Sequence, residues 1–139
     1  MTRRVETTFA TRYAETDAMG VVHHSVYLVW YEEGRSAWFR DRVSDARGYA
    51  LFAAEGLNFA VTEARSRYVA PARYGDLVTV CAWPEAIRSR GFTMAYEVRN
   101  ATTGALLNEG QTTHHGVNRE GAVVCVPNRW VARLWPEMT

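Results

Sequence analysis

The chain has 139 residues, 47% of them apolar, and a formal net charge of +1. That length suits one domain, residues 1–139, with a core of its own, and the apolar fraction excludes a disordered chain. The near-neutral charge speaks against a broad basic face for nucleic acid or an anionic membrane, while leaving room for a local basic pocket.

Val5, Thr7, Phe9, Thr11 and Tyr13 alternate with Glu6, Thr8, Ala10 and Arg12, the period of a strand. The arginines ahead of it have no apolar stretch behind them, so no signal peptide is expected. The string ETDAMGVVHHSVYLVWYEEGR, residues 15–35, opens as a turn and runs into six consecutive apolar or aromatic residues, 26–31. A helix is expected from residue 25 to about 42, capped by Ser25, with Glu32 able to pair with Arg35. Its first turns are apolar on every side, which predicts a helix surrounded by protein. The run is far too short to span a membrane. The later half is amphipathic, with Trp30, Gly34, Ala37 and Trp38 on one stripe, and ALFAAE at residues 50–55 suggests a short helical piece.

Strands dominate the rest. Residues 58–69 alternate, with Phe59, Val61, Glu63, Arg65 and Arg67 on one face, until Pro71 and ARYGD make a turn. Strands at 77–87, 92–98, 105–117 and 122–126 follow, separated by RSRG, NATTG and NREG. Pro127 and Asn128 begin a short final helix ending near Trp135. One long enclosed helix with five or six antiparallel strands requires a sheet that curls around the helix. The class is therefore α+β rather than a parallel βαβ fold. A single curved sheet leaves open edges, so pairing with another copy is expected. Cys81 and Cys125 lack metal-ligand spacing and read as reduced, buried thiols in a cytoplasmic protein.

Two segments, TDAMGVVHHSVY at 16–27 and VTEARSRYVAPARYGDLVTV at 61–80, resemble the hotdog-fold acyl-coenzyme A thioesterases of the 4-hydroxybenzoyl-CoA thioesterase-like group. Within that group the chain is most similar to the Tol-Pal-associated branch of short-chain acyl-CoA thioesterases, over nearly its whole length. It departs at Glu15, where an aspartate is common, and at His23, where an aromatic is common. The resemblance implies the hotdog fold, a curved antiparallel sheet wrapped around one long central helix. It implies hydrolysis of an acyl-CoA to free acid and coenzyme A, with no metal and no cofactor, coenzyme A being part of the substrate. It also implies a homodimer assembling to a homotetramer, with the site between subunits.

On its own, an aspartate in T-D-A-M-G is a turn former. The resemblance instead puts Asp17 at the active site, as nucleophile or general base, and the sequence leaves those two roles open. It also assigns the backbone amide of His24 to the oxyanion position. A helix starting near Ser25 leaves its first N–H groups unpaired and partly positive, and Gly20 lets the preceding loop turn closely. The His24 ring is open between pocket lining, hydrogen-bond donor and helix-start residue. His23 reads as structural or pocket-lining, and Tyr27 and Trp30 as core, with Tyr27 and the aromatics near Phe59 able to shape an acyl pocket. Arg88 and Arg90, at the 88–91 connection, are candidates for the phosphates of coenzyme A, solvated loop charges being the plain alternative. Arg65 and Arg67 are weaker candidates. His114 and His115 are adjacent on a strand and point to opposite faces, so no metal site is expected. No G-x-G-x-x-G, Walker or G-x-S-x-G string is present. Two other readings stand beside hydrolysis: a non-catalytic acyl-CoA-binding scaffold, and a hotdog hydratase or dehydratase, which needs a histidine–acid pair across the site.

Overall fold

The computed structural model describes residues 3–138. Its strands are β1 (Val5–Ala10), β2 (Asn58–Tyr68), β3 (Leu77–Arg88), β4 (Gly91–Asn100) and β5 (Leu106–Val117). They form one antiparallel sheet in the order β1-β3-β4-β5-β2. β1 and β2 are neighbours among the strands in sequence yet occupy opposite edges. The chain between them must cross the face of the sheet, and it does so as α1 (Val26–Val43) followed by α2 (Tyr49–Ala54). A third helix, α3 (Asn128–Leu134), closes the far end. This is the α+β arrangement of a hotdog fold.

The core forms where α1 meets the sheet. Trp30, Tyr31, Trp38 and Phe39 are buried on the helix, facing Val78, Val80 and Ala82 of β3 and Phe92, Met94, Tyr96 and Val98 of β4. A Cβ at Gly34 would lie 2.6 Å from Val80 Cγ1, so glycine lets α1 approach β3 closely.

Several expectations are corrected. The first turns of α1 are not enclosed: Tyr27, Trp30 and Tyr31 are buried, but Leu28 is 39% and Val29 46% exposed, because the sheet covers only one side of the helix. Ser25 makes no side-chain cap. Arg35 turns into the core instead of pairing with Glu32, donating to the Tyr49 hydroxyl at 2.7 Å and the Tyr96 hydroxyl at 3.0 Å. In β2 the pairing slips between Val61 and Glu63, so Thr62 is an extra residue opposite β5. The alternation inverts there: Phe59 points inward before the slip and Ser66 after it, where Ser66 bonds Tyr31 and Asn108. Arg65 and Arg67 therefore lie on the outer face, in exposed pairs with Glu63 at 3.0 Å and Glu109 at 2.7 Å. Residues 122–126 make one bridge, Val123 to Val117, rather than a strand. The first strand stops at Ala10, and Tyr13 belongs to a single 3-10 turn. Cys125 is exposed, not buried; both cysteines are free thiols.

Candidate active site

The segment between β1 and α1 is fastened by Glu15. This carboxylate is only 6% exposed, yet it accepts from the Arg12 amide at 2.8 Å, the Arg12 guanidinium at 3.2 Å and the Trp30 indole at 2.8 Å. A buried charge is tolerable when it is paired and hydrogen-bonded in this way. Burial acts to raise the Glu15 carboxyl, but the bonds from Arg12 and Trp30 prevail and hold it below its ordinary value. Glu15 thus ties the loop to α1 through Trp30.

Beyond it the chain makes a small hairpin. Thr16 bridges Val22, and the Asp17 amide donates to the Val21 carbonyl at 2.8 Å. Gly20, at φ 76°, closes the turn and donates to the Asp17 carbonyl at 3.0 Å. The Asp17 side chain uses one oxygen locally: Oδ1 accepts from the Met19 amide at 2.8 Å and the Val21 amide at 3.4 Å. Oδ2 takes no hydrogen bond, and no salt bridge engages Asp17 among the described residues. The turn-forming and chemical readings of Asp17 are therefore compatible, because each has its own oxygen.

The start of α1 leaves the His24 amide bare. Of the amides of residues 23–26, His23 donates to the Glu15 carbonyl at 2.9 Å, Ser25 to His23 Nδ1 at 3.2 Å and Val26 to the His23 carbonyl at 3.0 Å. The His24 amide has no partner among the described residues. The His23 ring, which also bonds the Ser25 hydroxyl at 2.7 Å, does the capping that Ser25 does not. It is absent from the groove wall, so its effect on the site runs through the helix start.

Asp17, His24 and Tyr27 line one groove of about 320 Å³, completed by Val21, Val22 and the segment from Tyr68 to Pro71. Tyr27 forms its floor, 3% exposed, its ring edge-on to Trp30 at 5.0 Å. Burial pushes the Tyr27 phenol up, so it stays neutral. The sequence reading missed Tyr68, half exposed at the end of β2, whose hydroxyl donates to the His24 carbonyl at 2.8 Å. Its only sequence signal was an aromatic just before the Pro71 turn.

Other candidates lie elsewhere. Phe59 packs with Phe39, Phe52 and Phe92 at the opposite end of the core, not in the groove. Arg88 and Arg90 flank the β3–β4 turn. Gly91 there pairs with His115, which pairs with Ala60 near the start of β2, whereas the groove adjoins the end of β2. One copy of the chain does not bring these arginines to Asp17. Arg88 donates to the Thr93 hydroxyl at 3.1 Å. His114 is buried and bonds the Thr112 hydroxyl at 2.7 Å, while His115 is exposed. Among the described residues no group of three or more His, Cys, Asp or Glu side chains could hold a metal, and no helix is long and apolar enough to cross a membrane.

The profile of the Thioesterase superfamily matches residues 19–106, a segment that begins two residues after Asp17. The chain is 33% identical over 109 residues to the putative acyl-CoA thioesterase YneP of Bacillus subtilis, covering 78% of this chain and 76% of that one. It is 31% identical over 126 residues to the acyl-CoA thioester hydrolase YbgC of Escherichia coli, covering 90% and 84%. Among solved structures, hypothetical protein TT1821 from Thermus thermophilus superposes with a TM-score of 0.85 at 36% identity, over 95% of both chains. DHNA-CoA thioesterase from Staphylococcus aureus superposes with a TM-score of 0.82 at 26% identity, over 96% of this chain and 85% of that one.

Proposed function

The chain belongs to the Thioesterase superfamily, and on that premise we propose that it hydrolyses an acyl-CoA thioester to the free acid and coenzyme A in the groove between Asp17 and the start of α1. One observation carries this reading: Asp17, whose carboxylate keeps a free oxygen, and His24, whose backbone amide is unpaired among the described residues, line the same groove.

The chemistry follows from that pair. The thioester carbonyl sits with its oxygen toward the His24 N–H, which polarises it and stabilises the negative charge that develops there. One such donor contributes about 3 kcal/mol to the barrier reduction. Asp17 Oδ2 either attacks the carbonyl carbon, giving an acyl-enzyme anhydride that water then cleaves, or takes a proton from a water that attacks directly. In both routes the C–S bond breaks, and the sulfur leaves with the electron pair and is protonated.

Arg88 and Arg90 enter this reading through a second copy. β2 pairs only with β5, so its outer edge is open, and Val61, Tyr68 and Val69 are half exposed along it. Two copies joined antiparallel through β2 about a two-fold axis bring the start of one β2 beside the end of the other. The β3–β4 turn of the second copy then lies toward the groove, where its arginines can meet the coenzyme A phosphates.

Thiol release from a panel of acyl-CoAs tests both parts. Asp17→Asn should lower kcat by about 100-fold or more, the range for losing a positioned base, and equal rates would remove Asp17 from the mechanism. Mixing Asp17→Asn with the double variant Arg88→Ala/Arg90→Ala, under conditions that exchange subunits, should restore activity. One site of each mixed dimer then has Asp17 from one copy and both arginines from the other. No restoration would exclude the shared site.

A further inference from the structure

The peptide carrying the free His24 N–H is held from both sides, and one hold comes from the edge strand. On the near side the His23 amide is bound to the Glu15 carbonyl at 2.9 Å, and the His23 carbonyl accepts Val26 N at 3.0 Å. On the far side the His24 carbonyl accepts the Tyr68 hydroxyl at 2.8 Å. His24 precedes Ser25, the N-cap of α1, so its carbonyl is owed no amide of the helix. Leu28 N donates to the Ser25 carbonyl at 3.3 Å. Tyr68 therefore ties to β2 a carbonyl that the helix does not use.

Nothing in the core requires this of Tyr68. It is 50% exposed, and its ring touches only the neighbourhood of the groove, edge-on to Tyr27 at 5.4 Å and to His24 at 6.4 Å. A hydrogen-bond donor weakens steeply as its angle closes, so the direction of the His24 N–H matters as much as its availability. Releasing the 24–25 peptide from Tyr68 would let it turn, and with it the adjoining 23–24 peptide, which bears that N–H.

We propose that Tyr68 is a positioning residue: its hydroxyl, by holding the His24 carbonyl against the end of β2, aims the His24 amide at the substrate oxygen. This rests on the oxyanion role given to that amide above. Tyr68 acts through the backbone and takes no proton in the reaction.

Tyr68→Phe keeps the ring and removes the hydroxyl. Acyl-CoA turnover by this variant should show kcat lowered about tenfold with KM within about twofold of wild type, because the affected contact strengthens only as charge develops on the oxygen. The amide resonances of His24 and Ser25 should shift in NMR spectra of the ligand-free variant as the 24–25 peptide loses its Tyr68 partner, while the thermal midpoint stays close to wild type. An unchanged kcat in an active wild-type background, a loss confined to KM, or unmoved His24 and Ser25 resonances would each overturn the role of Tyr68 alone. A wild type that releases no thiol from any acyl-CoA would instead remove the reaction itself, and the positioning role with it.

Discussion

At its C-terminal end, α1 returns its last carbonyls to the chain. Ser44 adopts the left-handed conformation at φ 54°, the Ser44 and Asp45 amides fold back to Asp41 and Arg40 at 3.3 Å each, and Arg133 donates to the Val43 carbonyl. Phe39, fully buried, anchors this end among the rings of Trp38, Phe52, Phe59 and Phe92. At its N-terminal end the chain leading into the helix leaves the His24 amide unpaired among the described residues and ties the His24 carbonyl to Tyr68, and Leu28 and Val29 face outward. Folding satisfies backbone polar groups wherever stability alone is at stake. The end that departs from this is the one beside Asp17, where an incoming oxygen can supply the missing partner.

If one end of α1 serves stability and the other serves chemistry, substitutions should separate the two properties. The largest effect belongs to the closed end. Phe39→Ala should cost about 4 kcal/mol in denaturant unfolding, while the fraction that remains folded turns over at the wild-type kcat. A folded variant with kcat lost would erase the distinction between the ends.

Glu15→Gln probes the junction between them. The variant loses the charge that Arg12 and Trp30 satisfy, and about 2 kcal/mol of stability is expected to go with it. The folded carboxyl lies below its ordinary value, so its contribution is present above the unfolded value and fades as pH falls through the folded one. The stability gap between wild type and Glu15→Gln should therefore narrow in acid. A gap that widens there would contradict the ionised, hydrogen-bonded state of this side chain.

The effect that is smallest near neutral pH lies again at the closed end. Burial, with the charge of Arg35 beside it, lowers His114 to about 3 from 6.5, and the ring stacks on Phe92 at 4.6 Å. Between those two values the unfolded chain holds a proton that the folded chain does not. Stability should fall as pH drops through that window, by at most about 1.4 kcal/mol per pH unit from this group. Comparing pH–stability curves of wild type and His114→Asn isolates the contribution, and parallel curves would show that His114 titrates alike in both states.

How much of this could be read beforehand depended on how local each feature is. The strands followed from alternation until β2, where the extra residue Thr62 inverted the pattern and carried Arg65 and Arg67 to the outer face. A bulge leaves no mark in composition. That Asp17, Gly20 and His24 share one turn and helix start was legible because they are neighbours in sequence and their bonds span a few residues; their assignment as a site came from the family resemblance. The Ser25 cap was expected from residue type, but the adjacent His23 ring reached the Ser25 amide with its own nitrogen. Arg35 looked like a surface partner for Glu32 because helical spacing says nothing of Tyr49 and Tyr96, which take its donors in the core.

By itself the sequence determined the α+β class, the long helix and the acid–glycine–helix string, all set by patterns within about twenty residues. Tertiary structure alone decided which amide stays unpaired, which Asp17 oxygen is free and that Tyr68, 44 residues from His24, holds the helix start. Hydrogen-bond saturation is a sum over every neighbour a group acquires on folding. A bare donor exists only once all its possible partners have been placed elsewhere, and no stretch of sequence specifies that by itself.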